Sequence, residues 1–493
     1  MGARTPFRAP EVRLEWPGRA WAPQRGSPVH RNGPEPGPGA CVERVGDPLR
    51  HRLLHADVLT AAQGLLSEAG ASVDCVYVDP PFASDRDYLA EARLDGPADG
   101  RVRRNLAYED TWSHKRGGLG AYLDMLAPRL EALAHLLGPA GTIWVHLDWR
   151  AAYLVRALLD EILGRDAFKN EIVWRRAPNL GRQATSGQFG RTLDTLVVYG
   201  KKEAVLRPPT RLEPIEERAV RWDDQGRAFT AAPRGDYTDA SIARLDREGR
   251  VHRTPSGRVY IKYFLVQNAE GVLCRERRID ALWTDVPPLR HVAASERTGY
   301  PTQKPVALLE RILRCATPED GLVVDGFAGS GTTGVAAHAL GRRAILVDES
   351  PVAIAAARAR MLRAGAALSV ERLGAPAPPA VPVTVERRGD AIRLLTPKEP
   401  LAWAIGRRVA GVLASAWHSE RLPGARPSPA ASEAMVPEAC RGDDVAVRVF
   451  CDDGSVGEAD LPWSASRSAP SPTPARRSGS RTRARGRAVE VGR

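Results

Sequence analysis

One segment constrains the fold more than any other. Gly321-Leu322-Val323-Val324-Asp325-Gly326-Phe327-Ala328-Gly329-Ser330-Gly331-Thr332-Thr333-Gly334 reads as a buried strand, a Gly-rich turn and the start of a helix. Gly329, Gly331 and Gly334 match Gly-x-Gly-x-x-Gly. Asp348 closes the next apolar run, Ala344-Ile345-Leu346-Val347, 19 residues after Gly329. Glycines let a backbone approach a ligand closely, and a carboxylate at that spacing can accept hydrogen bonds from both hydroxyls of a ribose. A chain with this unit folds around a parallel α/β sheet. The unit does not distinguish the adenosine of NAD from that of S-adenosylmethionine.

The rest of the chain fits such a sheet in two blocks. In the first, Val73-Asp74-Cys75-Val76-Tyr77-Val78 is an apolar strand ending in Asp79-Pro80-Pro81-Phe82. Leu123, Leu126, Leu130, Leu133 and Leu137 recur at three- and four-residue spacings, which predicts a helix over 119–137. Gly138-Pro139-Ala140-Gly141 stops it. Thr142 to Asp148 is the next strand, a helix runs to about Leu163, and Glu171–Trp174 and Thr195–Tyr199 read as further strands. Between 202 and 298 the texture turns to Arg, Gly, Asp and Pro with scattered aromatics, as in an inserted module. The α/β pattern resumes at Thr302-Gln303-Lys304-Pro305.

The expected organisation is a disordered segment over 1–48, which holds nine Pro, and a catalytic half over 49–201. An insert over 202–298 and a cofactor half over 299–375 follow. Residues 376–463 read as a small module of unassigned role, with Val445–Phe450 as a strand. A disordered basic tail spans 464–493. That tail holds eight Arg and one Glu, so it supplies +7 of the formal net charge of +12 and leaves +5 for the body. The charge therefore suggests a polyanionic partner only weakly. Six scattered Cys without a Cys-x-x-Cys pair indicate neither a zinc ribbon nor a redox motif, and suit a reducing, cytoplasmic setting. No metal centre is expected. No apolar run approaches the roughly 18 residues of a membrane span.

Asp79-Pro80-Pro81-Phe82 points to amino-group chemistry. The exocyclic nitrogen of adenine or cytosine is a poor nucleophile, because its lone pair is delocalised into the ring. A carboxylate and a backbone carbonyl accepting its two N–H bonds would draw it toward tetrahedral geometry, freeing the lone pair to attack a methyl group. Pro81 stiffens the turn and biases Pro80 toward an extended backbone, aiming the Pro80 carbonyl inward. Phe82 offers a face on which an extruded base can stack, worth roughly 1–3 kcal/mol. Alone the motif is weak, and Asp285-Val286-Pro287-Pro288 is a look-alike with no such strand before it.

Taken together, the motifs resemble the amino-methylating DNA methyltransferases of the β arrangement. In these the catalytic block precedes the target-recognition region and the cofactor block follows. Arg52-Leu53-Leu54-His55-Ala56-Asp57 resembles that family's opening strand, with Ala56 in place of Gly. Thr302-Gln303-Lys304-Pro305 resembles its Thr-Gln-Lys-Pro segment. Asp325 to Thr333 resembles its Asp-Pro-Phe-x-Gly-x-Gly-Thr-Thr, with Gly326 in place of Pro.

The resemblance implies a Rossmann-like, circularly permuted methyltransferase sheet and S-adenosyl-L-methionine as cofactor. It further implies double-stranded DNA as partner and the 202–298 insert as the recognition region. There Arg211, Arg218, Arg221, Arg227, Arg234, Arg244 and Arg247 are candidates to grip phosphates, which position a protein without reading sequence. Asp79 and the Pro80 carbonyl would hold the amino group, Pro81 would stiffen the turn and Phe82 would stack. Phe327, Gly329 and Gly331 would line the cofactor beside Asp325, and Thr332 and Thr333 would lie by its carboxylate. Asp348 would take the ribose, Asp57 the adenosine end, and Thr302 and Lys304 the methionine carboxylate.

Aspartate in the first motif position favours adenine-N6, with cytosine-N4 as the alternative. An NAD-dependent oxidoreductase and a catalytically idle DNA-binding relative are the other classes. A restriction subunit and a homodimer are compatible with the resemblance, and the sequence decides neither. A 5-methylcytosine enzyme is excluded for want of a Pro-Cys nucleophile, and a zinc deaminase for want of His-x-Glu with Cys-x-x-Cys. His55, His146 and His338 sit in apolar or helical contexts and read as structural.

Overall fold

A computed structural model describes residues 13–23, 40–46, 49–93, 102–112, 117–179, 187, 189–398, 400–420, 430–440 and 445–461. The body of the molecule is a central sheet built from two blocks of chain. The first block supplies β1 (His51–His55), α1 (Val58–Ala69), β2 (Val73–Val78), α2 (Gly118–His135), β3 (Leu137–Leu147), α3 (Ala152–Leu163), β4 (Phe168–Arg175) and β5 (Leu193–Gly200). The second supplies α4 (Val306–Ala316), β6 (Leu322–Asp325), α5 (Thr332–Ala339), β7 (Arg343–Asp348), α6 (Pro351–Arg363) and β8 (Leu368–Arg372). The strand order is β4-β5-β3-β2-β6-β7-β1-β8, and every pairing from β3 to β8 is parallel.

The two blocks interleave, so β2 and β6, far apart in sequence, are hydrogen-bonded neighbours (Cys75 opposite Val323, Tyr77 opposite Asp325). Their residues are buried on both faces, as parallel strands covered by helices must be. Leu123, Leu126, Leu130 and Leu133 form the buried stripe of α2 that the spacing predicts. Leu137, the fifth member of that pattern, already belongs to β3, and the Gly138–Gly141 turn is a bulge within that strand.

Four expectations need correction. β5 runs antiparallel to both its neighbours, because no crossover helix separates it from β4 and a direct return reverses the chain. Part of 1–48 is ordered. Ala40–Val45 is a strand beside β8, and Trp21 is buried with its Nε1 donating to Glu131 at 3.1 Å. The 376–463 stretch is not wholly separate. Its strands Ala402–Val409, Val412–Glu420, Val445–Phe450 and Val456–Leu461 continue the central sheet past Ala40–Val45. A buried ion pair fastens this extension to α6: Arg358 donates to both Glu43 oxygens, at 2.7 and 2.6 Å, and Ser415 donates to Glu43 at 2.7 Å.

The fourth correction concerns the insert. It folds as its own six-stranded sheet between Thr210 and Arg278, with Ile242, Leu245 and Ile261 as a small core. Its chain rejoins the body before 298, since Leu282–Trp283 pairs with β4. The look-alike Asp285–Pro288 is structural: Asp285 is bound by Arg311, and the Val286 carbonyl accepts from Trp174 Nε1 at 3.1 Å. The tail 464–493 lies outside the described residues.

Candidate active site

The carboxyl ends of four adjacent strands converge. Asp325 and Asp348 end β6 and β7, and Asp79 and Asp57 follow β2 and β1. This is where open α/β sheets bind ligands. A cavity of about 790 Å³ opens there, lined by these four carboxylates together with Pro80, Pro81, Phe82, Thr302, Lys304, Phe327, Gly329, Thr332 and Thr333. The sequence-predicted residues thus meet in one chamber, with one exception.

Gly331 does not line the cavity. It has φ +74°, and a Cβ there would stand 2.9 Å from the Ala357 Cα on α6. Its role is the close packing of α5 on α6. Gly326, where the resembled motif has Pro, faces Leu133 of α2, whose Cδ1 a Cβ would meet at 2.7 Å.

The Gly-rich loop is held from below by its own carboxylates. Asp348 accepts from the Gly329 amide at 2.8 Å and the Ser350 amide at 2.9 Å. Burial pushes its carboxyl up to about 6, against the pull of these two amides. Asp325 accepts from the Phe327 amide at 3.0 Å and from the Thr333 hydroxyl, and burial raises it to about 7. The Thr332 hydroxyl donates to the Lys304 carbonyl at 3.1 Å and accepts from Arg360 at 2.6 Å. Both threonine hydroxyls bond the scaffold, and both residues line the cavity. Asp57 caps α1 through the Leu59 amide at 2.8 Å and pairs with Arg129, which also lines the cavity.

The Asp79-Pro80-Pro81-Phe82 loop is held from elsewhere. Asp110, fully buried, accepts from the amides of Phe82 (3.2 Å), Ala83 (3.0 Å) and Ser84 (2.9 Å), from the Ser84 hydroxyl (2.7 Å) and from Trp112 Nε1 (2.9 Å). Ala83 and Asp85 take φ +56°, a conformation that side-chain-bearing residues adopt only when neighbours enforce it. Asp110 supplies that enforcement.

Lys304 Nζ lies 2.5 Å from Asp79 Oδ2 and 5.1 Å from the centre of the Phe82 ring. The resemblance sent Lys304 toward the methionine carboxylate, but here its ammonium sits on the Asp79 carboxylate. Thr302, with φ +55°, bonds the Tyr108 hydroxyl at 3.0 Å. Behind Phe82, His146 stacks at 6.1 Å between centroids and is fixed by the Tyr77 hydroxyl (2.9 Å) and Asp194 (3.2 Å).

Sequence reasoning missed Asp110, Arg129, Asp194 and Arg360, and took His146 as a mere core residue. No motif or apolar spacing in the sequence marks these residues.

In the insert, the arginines proposed to grip phosphates mostly face acidic partners: Arg211 with Glu213, Arg218 with Glu216, Arg227 with Asp223, Arg234 with Asp239 and Arg244 with Glu248. Most are exposed pairs, which contribute little stability; the buried Asp223 carboxylate under Arg227 is the exception.

A family model described as DNA methylase, of the N6/N4 type, matches residues 73–359. The type II methyltransferase M.EcaI of Enterobacter cloacae is 27% identical over 329 residues, covering 61% of this chain and 67% of that protein. The Mod subunit of the type III restriction-modification enzyme StyLTI of Salmonella typhimurium is 24% identical, covering 58% of this chain and 49% of its own length. The chain thus spans about half of that relative. Among solved structures, the protein TTHA0409 of Thermus thermophilus is 19% identical with a TM-score of 0.36, over 65% of this chain and 99% of that one. The match to the family model spans the catalytic loop, the insert and the cofactor loop, and the chain belongs to the N6/N4 family of DNA methylases.

Proposed function

We propose that this protein transfers a methyl group from S-adenosyl-L-methionine to the exocyclic N6 of an adenine extruded from double-stranded DNA. The observation that carries this reading is the single cavity in which Asp79-Pro80-Pro81-Phe82 faces the Gly-rich loop and Asp348. Its volume, about 790 Å³, falls within the usual 300–1,000 Å³ of small-ligand sites.

The residues present fit the cofactor. Each Asp348 oxygen accepts one amide and keeps a lone pair for a ribose hydroxyl. Phe327 supplies an apolar wall, and the carboxylates suit a ligand bearing positive charge. When bound, S-adenosylmethionine supplies an electrophilic methyl group. The protein does the rest. Asp79 and the Pro80 carbonyl accept the two N–H bonds of the target amine, and Phe82, backed by His146, stacks on the base. Asp110 keeps that loop in place. Lys304 engages Asp79 Oδ2, which leaves Oδ1 to accept from the amine.

Aspartate at position 79 favours adenine over cytosine-N4. The Mod subunit is by name part of a restriction-modification enzyme, and a restriction partner is proposed on that ground; a homodimer is proposed from the resemblance alone. Among the described residues no helix is long and apolar enough to cross a membrane, and the cytoplasm is the proposed location.

The test is transfer of a labelled methyl group to duplex DNA followed by nucleoside chromatography. N6-methyladenine is expected. N4-methylcytosine would overturn the base assignment, and binding of NAD in place of S-adenosylmethionine by calorimetry would overturn the class.

A further inference from the structure

Trp149 follows the end of β3, the strand beside the catalytic strand β2, and no step above uses it. The register pairs Val78 with Val145, each four residues before Phe82 and Trp149 respectively. His146, three residues before it, is the ring stacked on Phe82. The indole is nevertheless 48% exposed. Two guanidinium groups flank it, Arg191 at 4.0 Å and Arg150 at 5.1 Å from the ring centre, and Asp148 fixes Arg150. Tyr153 on α3 is 63% exposed, and Leu193, at the end of β5 that meets the same edge, is 45% exposed.

Large apolar side chains exposed together mark an interaction surface. A flat ring between two cations has the chemistry of a nucleic acid: bases stack on the ring and phosphates meet the arginines. Extruding a base leaves a gap in the duplex, and apolar wedges are a known way of filling such gaps.

We propose that Trp149 is the wedge that enters the duplex beside the target base and occupies its stacking position once the base has moved into the cavity. Arg150 and Arg191 hold the flanking phosphates. The inference rests on the amino-methyltransferase reading above.

Methyl transfer is measured on two duplexes carrying the recognised site. One has thymine opposite the target adenine, and the other has an abasic site there, so that pairing is already lost. Trp149→Ala is expected to lower kcat/KM on the paired duplex about 10- to 100-fold, and on the abasic duplex by about 3-fold or less. Trp149→Phe should retain most of the activity on both. Unchanged cofactor affinity certifies the fold. If the Ala variant loses it, Trp149→Gln is read by the same ratio.

Equal losses on the two duplexes, or none on either, overturn the wedge. So does a loss that tracks a change from dimer to monomer in light scattering, which would assign the patch to a second copy of the chain. Absence of transfer by the unmodified protein on both duplexes would instead overturn the activity itself.

Discussion

The two loops that face each other across the cavity are held by different kinds of partner. Around the Gly-rich loop the partners are near in sequence: Asp325 holds Thr333, 8 residues on, and Gly329 holds Asp348, 19 residues on. Around the Asp79–Phe82 loop one partner comes from the other block of the sheet. Asp110 lies 26–28 residues from the amides it binds, and Lys304 lies 225 residues from Asp79. One loop is a local unit that the strand-turn-helix sequence builds by itself. The other is assembled only when both blocks of the sheet are in place. Substitutions in the first should therefore show in cofactor binding, and substitutions around the second in turnover.

The sharpest separation is expected at Asp79. Asp79→Ala should lower transfer by about 10²- to 10³-fold or more, since a preorganised polar contact at the reacting atom is typically worth that much. Cofactor affinity by calorimetry should stay within a few-fold of the unmodified protein, because Asp79 does not hold the Gly-rich loop. Full activity in this variant would sink the assignment.

Asp110→Asn comes next. The amide keeps the shape but offers a donor where amides of Phe82, Ala83 and Ser84 need an acceptor. A catalytic group displaced by about 1 Å can lose about 10²-fold in rate, so kcat should fall about 10- to 100-fold with cofactor affinity unchanged. If cofactor binding fell in step with kcat, the two loops would be one cooperative unit and the contrast between them would fail. Asp348→Ala is the reciprocal test. Loss of hydrogen bonds to a charged acceptor, each worth about 1.5–3 kcal/mol, should weaken cofactor affinity about 10- to 100-fold. The rate at saturating cofactor should be nearly preserved.

This contrast also explains what was legible in the sequence. The Gly-rich loop could be read because its chemistry is written within 30 consecutive residues: strand, glycines, helix and acid in order. The central strands and the α2 stripe could be read from apolar runs and from Leu123, Leu126, Leu130 and Leu133. Asp110 could not, because a lone carboxylate says nothing about amides it meets only after β2 and the chain ahead of α2 have folded. Lys304 was assigned a ligand by motif, but its partner in the fold is Asp79. The sheet extension escaped for the same reason. Ala40–Val45 sits within a Pro-rich segment, and the strands it joins lie more than 320 residues later.

The smallest expected effect is a pH dependence confined to the cofactor side. Burial raises Asp348 to about 6 and Asp325 to about 7, above the roughly 3.9 of an unfolded aspartate. Between about pH 4 and 7 the folded chain therefore holds protons that the unfolded chain has released. Stability contributed by these two carboxyls is full below about pH 4 and is lost as pH rises through 6 and 7. Other carboxylates, such as Glu371 beside Arg52, are held below their usual value and work in the opposite sense at lower pH. The difference between the unmodified protein and Asp348→Asn is thus the informative quantity. Between pH 4.5 and 7.5, without cofactor, the variant should lose less stability in thermal melts, because it lacks one of the two titrating carboxyls. Cofactor affinity should move the other way, weakening in the unmodified protein as pH falls below about 6, where Asp348 takes up a proton and surrenders an acceptor. In Asp348→Asn that affinity should be weaker throughout and lack the decline near pH 6. A decline of equal size in the variant would move the titrating group away from Asp348 and leave Asp325, bound to Thr333, as the carboxyl that couples the loop to pH.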